Sequence, residues 1–348
     1  MRGLFTKAYL RAYDENIPAP AFLKSFFNVE VSEAKEIHVE VRRGTEKVAV
    51  DVVRGSDGNR NKFSLGTEKG FIPPYYNEYF EATDLDRYDR VFGQSAEMSP
   101  ATIGYLASDI GFKLLQLRNK IERAKELQAA KVFETGVVTL KDSSTIDFKR
   151  KATSIVDNSG TPWSVTTTDI EAQIVAACEF IRKSGKNSSP VFNMVMPGAI
   201  YAYLKKTNYF KNNADYNQIR LIDVNMPQKA SFGAAYHGQI AAGAYIINLW
   251  TYDEGYETDA GVWTPYMNSK KVFLVPTQGT RFTMAHAGIP AIMGTAGRDG
   301  RFIGRVAAEY YQWDYIDEKR TSHTFHTASA PLAIPVTVDM IYTMKVIT

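Results

Sequence analysis

An α+β fold, with helices and strands in separate stretches of chain, is what this sequence predicts, and three observations predict it. Between Gly111 and Leu140, the residues Leu114, Leu117, Ile121, Ala124 and Leu127 recur at three- and four-residue steps. Lys, Arg, Glu and Gln lie between them, which is the pattern of a long amphipathic helix. "EIHVEV" and "KVAVDVV" near the N-terminus, and "IPVTVDMIYTMKVI" near the C-terminus, alternate with the period of two of half-buried strands. Between these regions "DIEAQIVAACEFIRKSG", "PVFNMVMP" and "GAIYAYLKK" read as helix, buried strand and helix, one unit of a layered α/β lobe.

The size and balance of the chain support a folded body. Its 348 residues can bury a core shared between lobes, and 45% hydrophobic with 23% charged residues argue against wholesale disorder. Forty-one basic against 38 acidic residues leave a net charge of +3, too even to imply nucleic-acid or membrane binding by itself. Cys178 is the single cysteine, so an intrachain disulfide and a cysteine metal cluster are both impossible, as suits a reducing compartment. No apolar run approaches the roughly 20 residues of a membrane span. The opening "MRGLFTKAYLRAYDENIP" lacks a secretory apolar core, so a cytosolic product is expected.

In chain order, residues 1–30 form an arm with Phe22, Leu23, Phe26 and Phe27 on a short helical face after the Pro18-Ala19-Pro20 break. The arm is too small for a core of its own; it either folds back or embraces a neighbour. Residues 31–69 read as an extended hairpin, rich in glycine and charge and poor in inward apolar residues. Arg42, Arg43, Lys47, Arg54, Arg60 and Lys62 outnumber Glu40, Glu46, Asp51 and Asp57 there, so its counterpart surface is expected to be acidic. An aromatic segment leads to Ser99-Pro100, a helix start, and the helix runs to Glu134 before Gly136 stops it. Gly111 is a point at which it could divide. "GVVTLKDSSTIDFKR" reads as a hairpin turning at Asp142-Ser143-Ser144, and the polar stretch 157–168 as a boundary and hinge. Thr168 to Glu171 reads as a capping box opening the next helix, which Gly185 ends. The remainder is β-rich, through "IRLID", "AYIINLWTYD" and "KKVFLVPTQ" to the closing alternation.

Catalytic patterns are missing. "GTAGRDGRFIG", Gly294 to Gly304, lacks the Gly-Lys-Ser/Thr ending and following helix of a phosphate loop. His323 and His326 have no third metal ligand in sequence, and Cys178 reads as a small core hydrophobe. Arg118, Lys120, Arg123, Lys125 and Lys131 interleave with Glu122, Glu126 and Glu134, the pattern of a solvated helix with i,i+4 pairs. No catalytic residue, metal or cofactor is expected.

Four stretches, in this order, carry a resemblance: "ELQAAKVFETGVVTL", "WSVTTTDIEAQIVAACEF", "VFNMVMPGAIYAYLKK" and "HTASAPLAIPVTVDMIYTMKV". Together with the arm, hairpin and long helix they resemble the capsid protein E family, the major head proteins of lambda-like phages, with the Hong Kong 97-type capsid fold. The resemblance covers most of the chain. It implies a virion shell subunit in hexamers and pentamers, assembled in the host cytoplasm around double-stranded DNA that it touches non-specifically. Scaffold and portal proteins, and a decoration protein, are the implied partners; no membrane is. It also implies that 31–69 is the loop laid over a neighbour, 70–167 a peripheral domain with the spine helix, 168–325 mainly the axial domain, and 326–348 a strand returning to the core. Leu114, Leu117, Ile121 and Leu127 would then be the buried stripe of the spine. Lys62 or Lys69 could serve the lysine–asparagine crosslink of some such shells, but the lambda-like branch does not rely on it. Two other readings stay open: an encapsulin-like compartment, and an enzyme with an unrecognised α/β site.

Overall fold

A computed structural model describes residues 17–41, 67–83, 102–140, 143–211, 228–229, 233–293, 302–317 and 322–348. The described chain begins by folding back on the body. Phe22, Leu23 and Phe27 are buried around a single 3₁₀ turn at Lys24–Phe26, so the arm from Ile17 onward covers its own core. Strand β1 (Asn28–Val31) follows, then the hairpin strands β2 (Ile37–Val41) and β3 (Thr67–Phe71), which pair antiparallel from Ile37↔Phe71 to Val41↔Thr67. Ile37, Val39 and Phe71 pack on the main core, and Phe71 meets Phe148 at 5.2 Å, which anchors the hairpin's base. Lys69 lies on β3 opposite Val39. Arg42, Arg43, Lys47, Arg54, Arg60 and Lys62 all lie outside the described residues, as do the Gly294-to-Arg301 part of the glycine-rich loop and "IRLID".

The aromatic segment before the long helix is a strand, β4 (Tyr76–Thr83). Helix α1 (Thr102–Glu134) then runs 33 residues, about 50 Å at 1.5 Å per residue, without a break at Gly111. Glycine lowers helix propensity by only about 1 kcal/mol, too little to divide a helix whose neighbouring turns are packed. At its C-terminal end Gly136 takes φ 73°, and its N–H bonds back to the carbonyls of Lys131 and Val132, closing the last turn. A β-carbon there would also collide with Arg150, 2.4 Å from Cδ. The hairpin β5 (Val137–Thr139) and β6 (Thr145–Asp147) follows as expected, with Ser143 at φ 64° in its turn.

After β7 (Ile155–Asp157), the stretch read as a polar boundary is pinned instead. Trp163 is fully buried; its backbone N–H bonds to Val346 and its indole N–H to Gln173. Helix α2 (Ile170–Ser184) is capped by Asp169, which accepts from Ala172 N, rather than by a box starting at Thr168. Thr168 Oγ1 donates to the Pro162 carbonyl, and Glu171 accepts from Gly243 N, so both expected box partners are engaged elsewhere. Next come β8 (Val191–Met196), α3 (Gly198–Leu204), β9 (Gln228–Lys229), β10 (Ala234–Ala242), β11 (Tyr245–Tyr252), β12 (Gly255–Glu257), β13 (Trp263–Pro265) and β14 (Lys271–Pro276).

The chain ends through β15 (Phe282–His286), β16 (Ile289–Met293), β17 (Phe302–Val306), β18 (Tyr311–Asp317), β19 (Ser322–Ser329), β20 (Pro331–Pro335) and β21 (Tyr342–Lys345). The closing alternation is therefore two strands, not one. A 3₁₀ turn at Val338–Met340 separates them and sends β20 and β21 into different sheets.

A mixed seven-stranded sheet, ordered β7-β21-β14-β8-β11-β10-β9, organises the core. Alternation along its strands sorts side chains onto two faces. Met194, Leu274, Leu249 and Met344 meet Ile174, Ile181 and Ile200 of α2 and α3. Val195, Phe273, Val275 and Tyr252 look the other way, toward Phe133 of α1 and Phe22, Leu23 and Phe27 of the arm. On that side Phe133 stacks on Phe273 at 4.6 Å and 4° between planes. Two three-stranded sheets, β1-β15-β20 and β18-β19-β4, continue this second layer along the length of α1.

Candidate functional site: the spine helix and the charges buried beneath it

Of the stripe expected on α1, Ile121 is buried, Leu127 packs on the core, and Leu114 and Leu117 are half-buried. The same register carries polar residues inward. Lys125 stands four residues and Gln128 seven residues after Ile121, and both are buried, as is Glu126. These residues contradict the expectation of a uniformly solvated charged face. The signal was present in the sequence, since positions i+4 and i+7 share a helix face, but alternating charges masked it.

Two linked ionic groups result. In the first, Lys125 Nζ bonds to Glu309 at 2.7 Å and to Tyr310 OH at 2.7 Å, with Glu122 at 3.4 Å. Tyr310 donates to Glu122, and Lys24 of the arm pairs with the same carboxylate. The Arg118 guanidinium lies 4.7 Å over the Tyr310 ring. In the second, Glu126 accepts from Leu23 N at 2.8 Å, Lys24 N at 2.9 Å and Tyr252 OH at 2.6 Å. One carboxylate thus satisfies two arm amides and a phenol of the seven-stranded sheet at once.

Burial dominates the electrostatics of this region. It pulls the Lys125 ammonium below its ordinary pKa, against the attraction of Glu122 and Glu309. Burial pushes Glu126 up, against its three donors, and raises the Tyr310 and Tyr252 phenols, each beside a carboxylate. For Glu122, burial alone would raise the pKa, but Lys125, Lys24 and Tyr310 together bring it below the ordinary value. His286, buried nearby with Ser329 Oγ at 3.4 Å, is held down to about 4 by desolvation and by Lys125.

The far end of α1 is fixed by Arg150. Its guanidinium donates to the Phe133 carbonyl at 2.8 Å and to Ser154, Ile341 and Thr343, so a cation closes the helix C-terminus and ties it to β21. Sequence reading gave no hint of this tie, because Arg150 is local to a hairpin and its partners come from the last strand.

These arrangements hold the arm, α1 and the sheets together. Among the described residues no three His, Cys, Asp or Glu side chains cluster to hold a metal ion. His323 pairs with Asp314 and His326 with Asn77, on opposite faces of β19. Cys178 is buried with its thiol pushed up to about 12, and Asp253 accepts from Gly198 N at the start of α3. No described helix is long and apolar enough to cross a membrane.

The model of the phage major capsid protein E family matches residues 8–346, nearly the whole chain. The chain belongs to that family. Solved structures agree on the fold. A protein assigned as the capsid protein of a prophage in E. coli CFT073 is 16% identical, with a TM-score of 0.61 over 94% of this chain and 93% of its own. The capsid of Myoviridae phage XM1 gives 8% identity and a TM-score of 0.52 over 99% of both chains. A structure from Gordonia phage Cozz gives 12% and 0.50 over 98% of this chain and 91% of its own. No curated protein matches the chain. This member of the capsid protein E family therefore has the Hong Kong 97-type α+β fold and is a capsid component of a virion.

Proposed function

We propose that many copies of this capsid subunit close into an icosahedral shell of hexamers and pentamers around double-stranded DNA, with the β2–β3 hairpin laid over a neighbouring copy. The hairpin carries the reading. Among the described residues its strands pair with each other alone, its base is anchored on the subunit's own core, and the connection 42–66 brings six basic residues. A ribbon so built has charge and backbone to offer but little core of its own, so a second surface is what completes it. Within this reading the hairpin falls in a loop spanning 31–69, α1 in a peripheral domain of 70–167, and α2 and α3 in an axial domain of 168–325. Scaffold and portal proteins would act during assembly.

Negative-stain microscopy of the purified full-length protein tests the shell. Closed particles of uniform diameter are expected, and a small oligomer at every concentration and salt would overturn the reading. The loop is tested separately by reversing Arg42, Arg43 and Arg54 to Glu. Loss of particles with an unchanged circular-dichroism spectrum is expected; normal particles would remove the loop from the interface.

A further inference from the structure

We propose that copies of this chain meet head to tail through the α/β lobe: the β12–β13 hairpin of one, with Glu254, Glu257, Asp259 and Trp263, seats on the lysines that follow α3 in the next. The proposal rests on the shell reading and names two faces through which a ring of copies closes.

The hairpin is a fixed projection. Its strands pair over three residues, from Gly255↔Pro265 to Glu257↔Trp263. Two tyrosines root it on the face of the seven-stranded sheet that carries α1 and the arm. Tyr266 is buried with its ring 6.3 Å from that of Tyr252, and Tyr256 packs 5.3 Å from Tyr266. Beyond these roots the ribbon faces water. Glu254, Glu257 and Asp259 are exposed, and Val262 and Trp263 are 58% and 61% exposed. Trp263 is nonetheless held in place, because its indole lies against the Gly255 backbone; a β-carbon there would come within 2.6 Å of two ring carbons. A fixed indole beside three carboxylates suits ammonium groups, since tryptophan is the best ring acceptor for a cation and carboxylates supply the charge.

The counterpart stands on the other face of the same sheet. Between Glu179 and Asp215 the chain carries Arg182, Lys183, Lys186, Lys205, Lys206 and Lys211 and no acidic residue. Of these, Lys205, Lys206 and Lys211 are exposed on the end of α3 and the turn after it. That turn is pinned: Leu204 and Phe210 are buried, Thr207 Oγ1 donates to the Leu204 carbonyl at 2.6 Å, and Tyr209 OH donates to the Ala241 carbonyl. Lys205 Nζ lies 4.9 Å over the Tyr201 ring and Lys206 Nζ 5.9 Å over that of Tyr203, so rings of the same helix position both ammoniums.

The placement of the two patches gives the contact its polarity. Asp253, between β11 and β12, accepts from Gly198 N at 2.8 Å, so hairpin and α3 leave the same end of the sheet. They leave toward opposite faces, since Tyr256 and Tyr266 pack in one core and Ile200, Leu204 and Phe210 in the other. Unlike, complementary patches on opposite sides of one body make a heterologous contact, which closes into a ring when repeated by rotation; a self-complementary patch stops at a dimer. Opposite signs steer the encounter and disfavour two hairpins or two lysine surfaces meeting. Double-stranded DNA would answer the lysines but not the carboxylates and indole, whereas a second copy answers both.

Charge reversal in the full-length protein tests the contact. One variant carries Lys205→Glu, Lys206→Glu and Lys211→Glu, a second Glu254→Lys, Glu257→Lys and Asp259→Lys, and a third all six. Every site is exposed, and an unchanged circular-dichroism spectrum checks each fold. By light scattering the first two should need at least about tenfold more protein to assemble, and the third, with signs exchanged on both sides, should return to near the wild-type threshold. A wild-type threshold in either three-site variant, or no recovery in the third, would overturn the contact. So would a lysine variant that assembles normally but loses binding to double-stranded DNA. If the wild type closes no shell, the shell reading fails separately, and native mass spectrometry of the first two variants mixed decides the contact: heterodimers support it and monomers alone overturn it.

Discussion

Glu126 shows how one side chain can join three parts of the subunit. Its carboxylate is the common acceptor for Leu23 N, Lys24 N and Tyr252 OH; Leu23 and Tyr252 are buried and Lys24 is half-buried. Glu126→Gln keeps the volume but replaces one acceptor oxygen by a donor, so a buried N–H or O–H loses its partner at about 1–3 kcal/mol. A lower Tm and faster trypsin cleavage after Lys24 are expected. Unchanged cleavage would show that the apolar contacts of Phe22 and Phe27 hold the arm alone. His286 has the opposite character, since its neighbours disfavour its charged form. Lys125 and Lys24 oppose protonation, Glu309 and Glu122 favour it, and burial decides, so its folded pKa of about 4 lies below its unfolded value. Stability is therefore complete above pH 6.5 and falls as the pH drops from there to 4, by about 3 kcal/mol in all. His286→Leu should flatten that part of a urea-midpoint-against-pH curve, whereas an unaltered slope would place the titration elsewhere.

At the level of elements, α1 behaves as one rod. Gly111 is solvent-exposed, and a β-carbon there meets nothing within 4 Å. Gly111→Ala should stabilise the subunit by about 0.5–1 kcal/mol, read as a raised Tm. A destabilised variant would mean that Gly111 bends in solution after all. Trp163 makes the complementary point about a segment that looked like a linker. Trp163→Ala removes a fully buried indole and the partner of Gln173, for a loss of about 3–5 kcal/mol by denaturant unfolding. A loss below about 1 kcal/mol would restore the hinge reading. The elements legible in the sequence were those with a strong period: α1, α2, the buried β8 and the hairpins. Those misread depended on distant partners. β4 is a strand because β19 pairs with it from some 250 residues away in the sequence, a separation no local window contains. "DNSGTPW" is fixed because Val346 and Gln173 take its donors. Lys125 and Glu126 were read as surface because their acceptors and donors come from the arm, Tyr252 and Glu309.

At the level of the whole molecule, two cores lie back to back on one seven-stranded sheet, with α2 and α3 on one face and α1 and the arm on the other. α1 is thus joined to the sheet that carries α2 and α3 on its other face, both by packing and through Arg150. If the basic hairpin connection completes interfaces between copies, assembly should weaken as salt rises, because exposed ion pairs of about 0–1 kcal/mol each are screened beyond roughly 10 Å at 0.1 M. Light scattering across a salt series should show the assembly threshold rising; a threshold indifferent to salt would assign the interface to apolar contacts. By itself the sequence determined the fold class, the long helix with its glycine stop, the α–β–α unit and the resemblance that the family match bears out. Each of these rests on residue periodicity or on motif order, which survive without knowledge of neighbours in space. Only the tertiary structure decided where the arm goes, which charges are buried and how the last strand is divided. Those outcomes depend on hydrogen bonds and burial supplied by residues far apart in the chain.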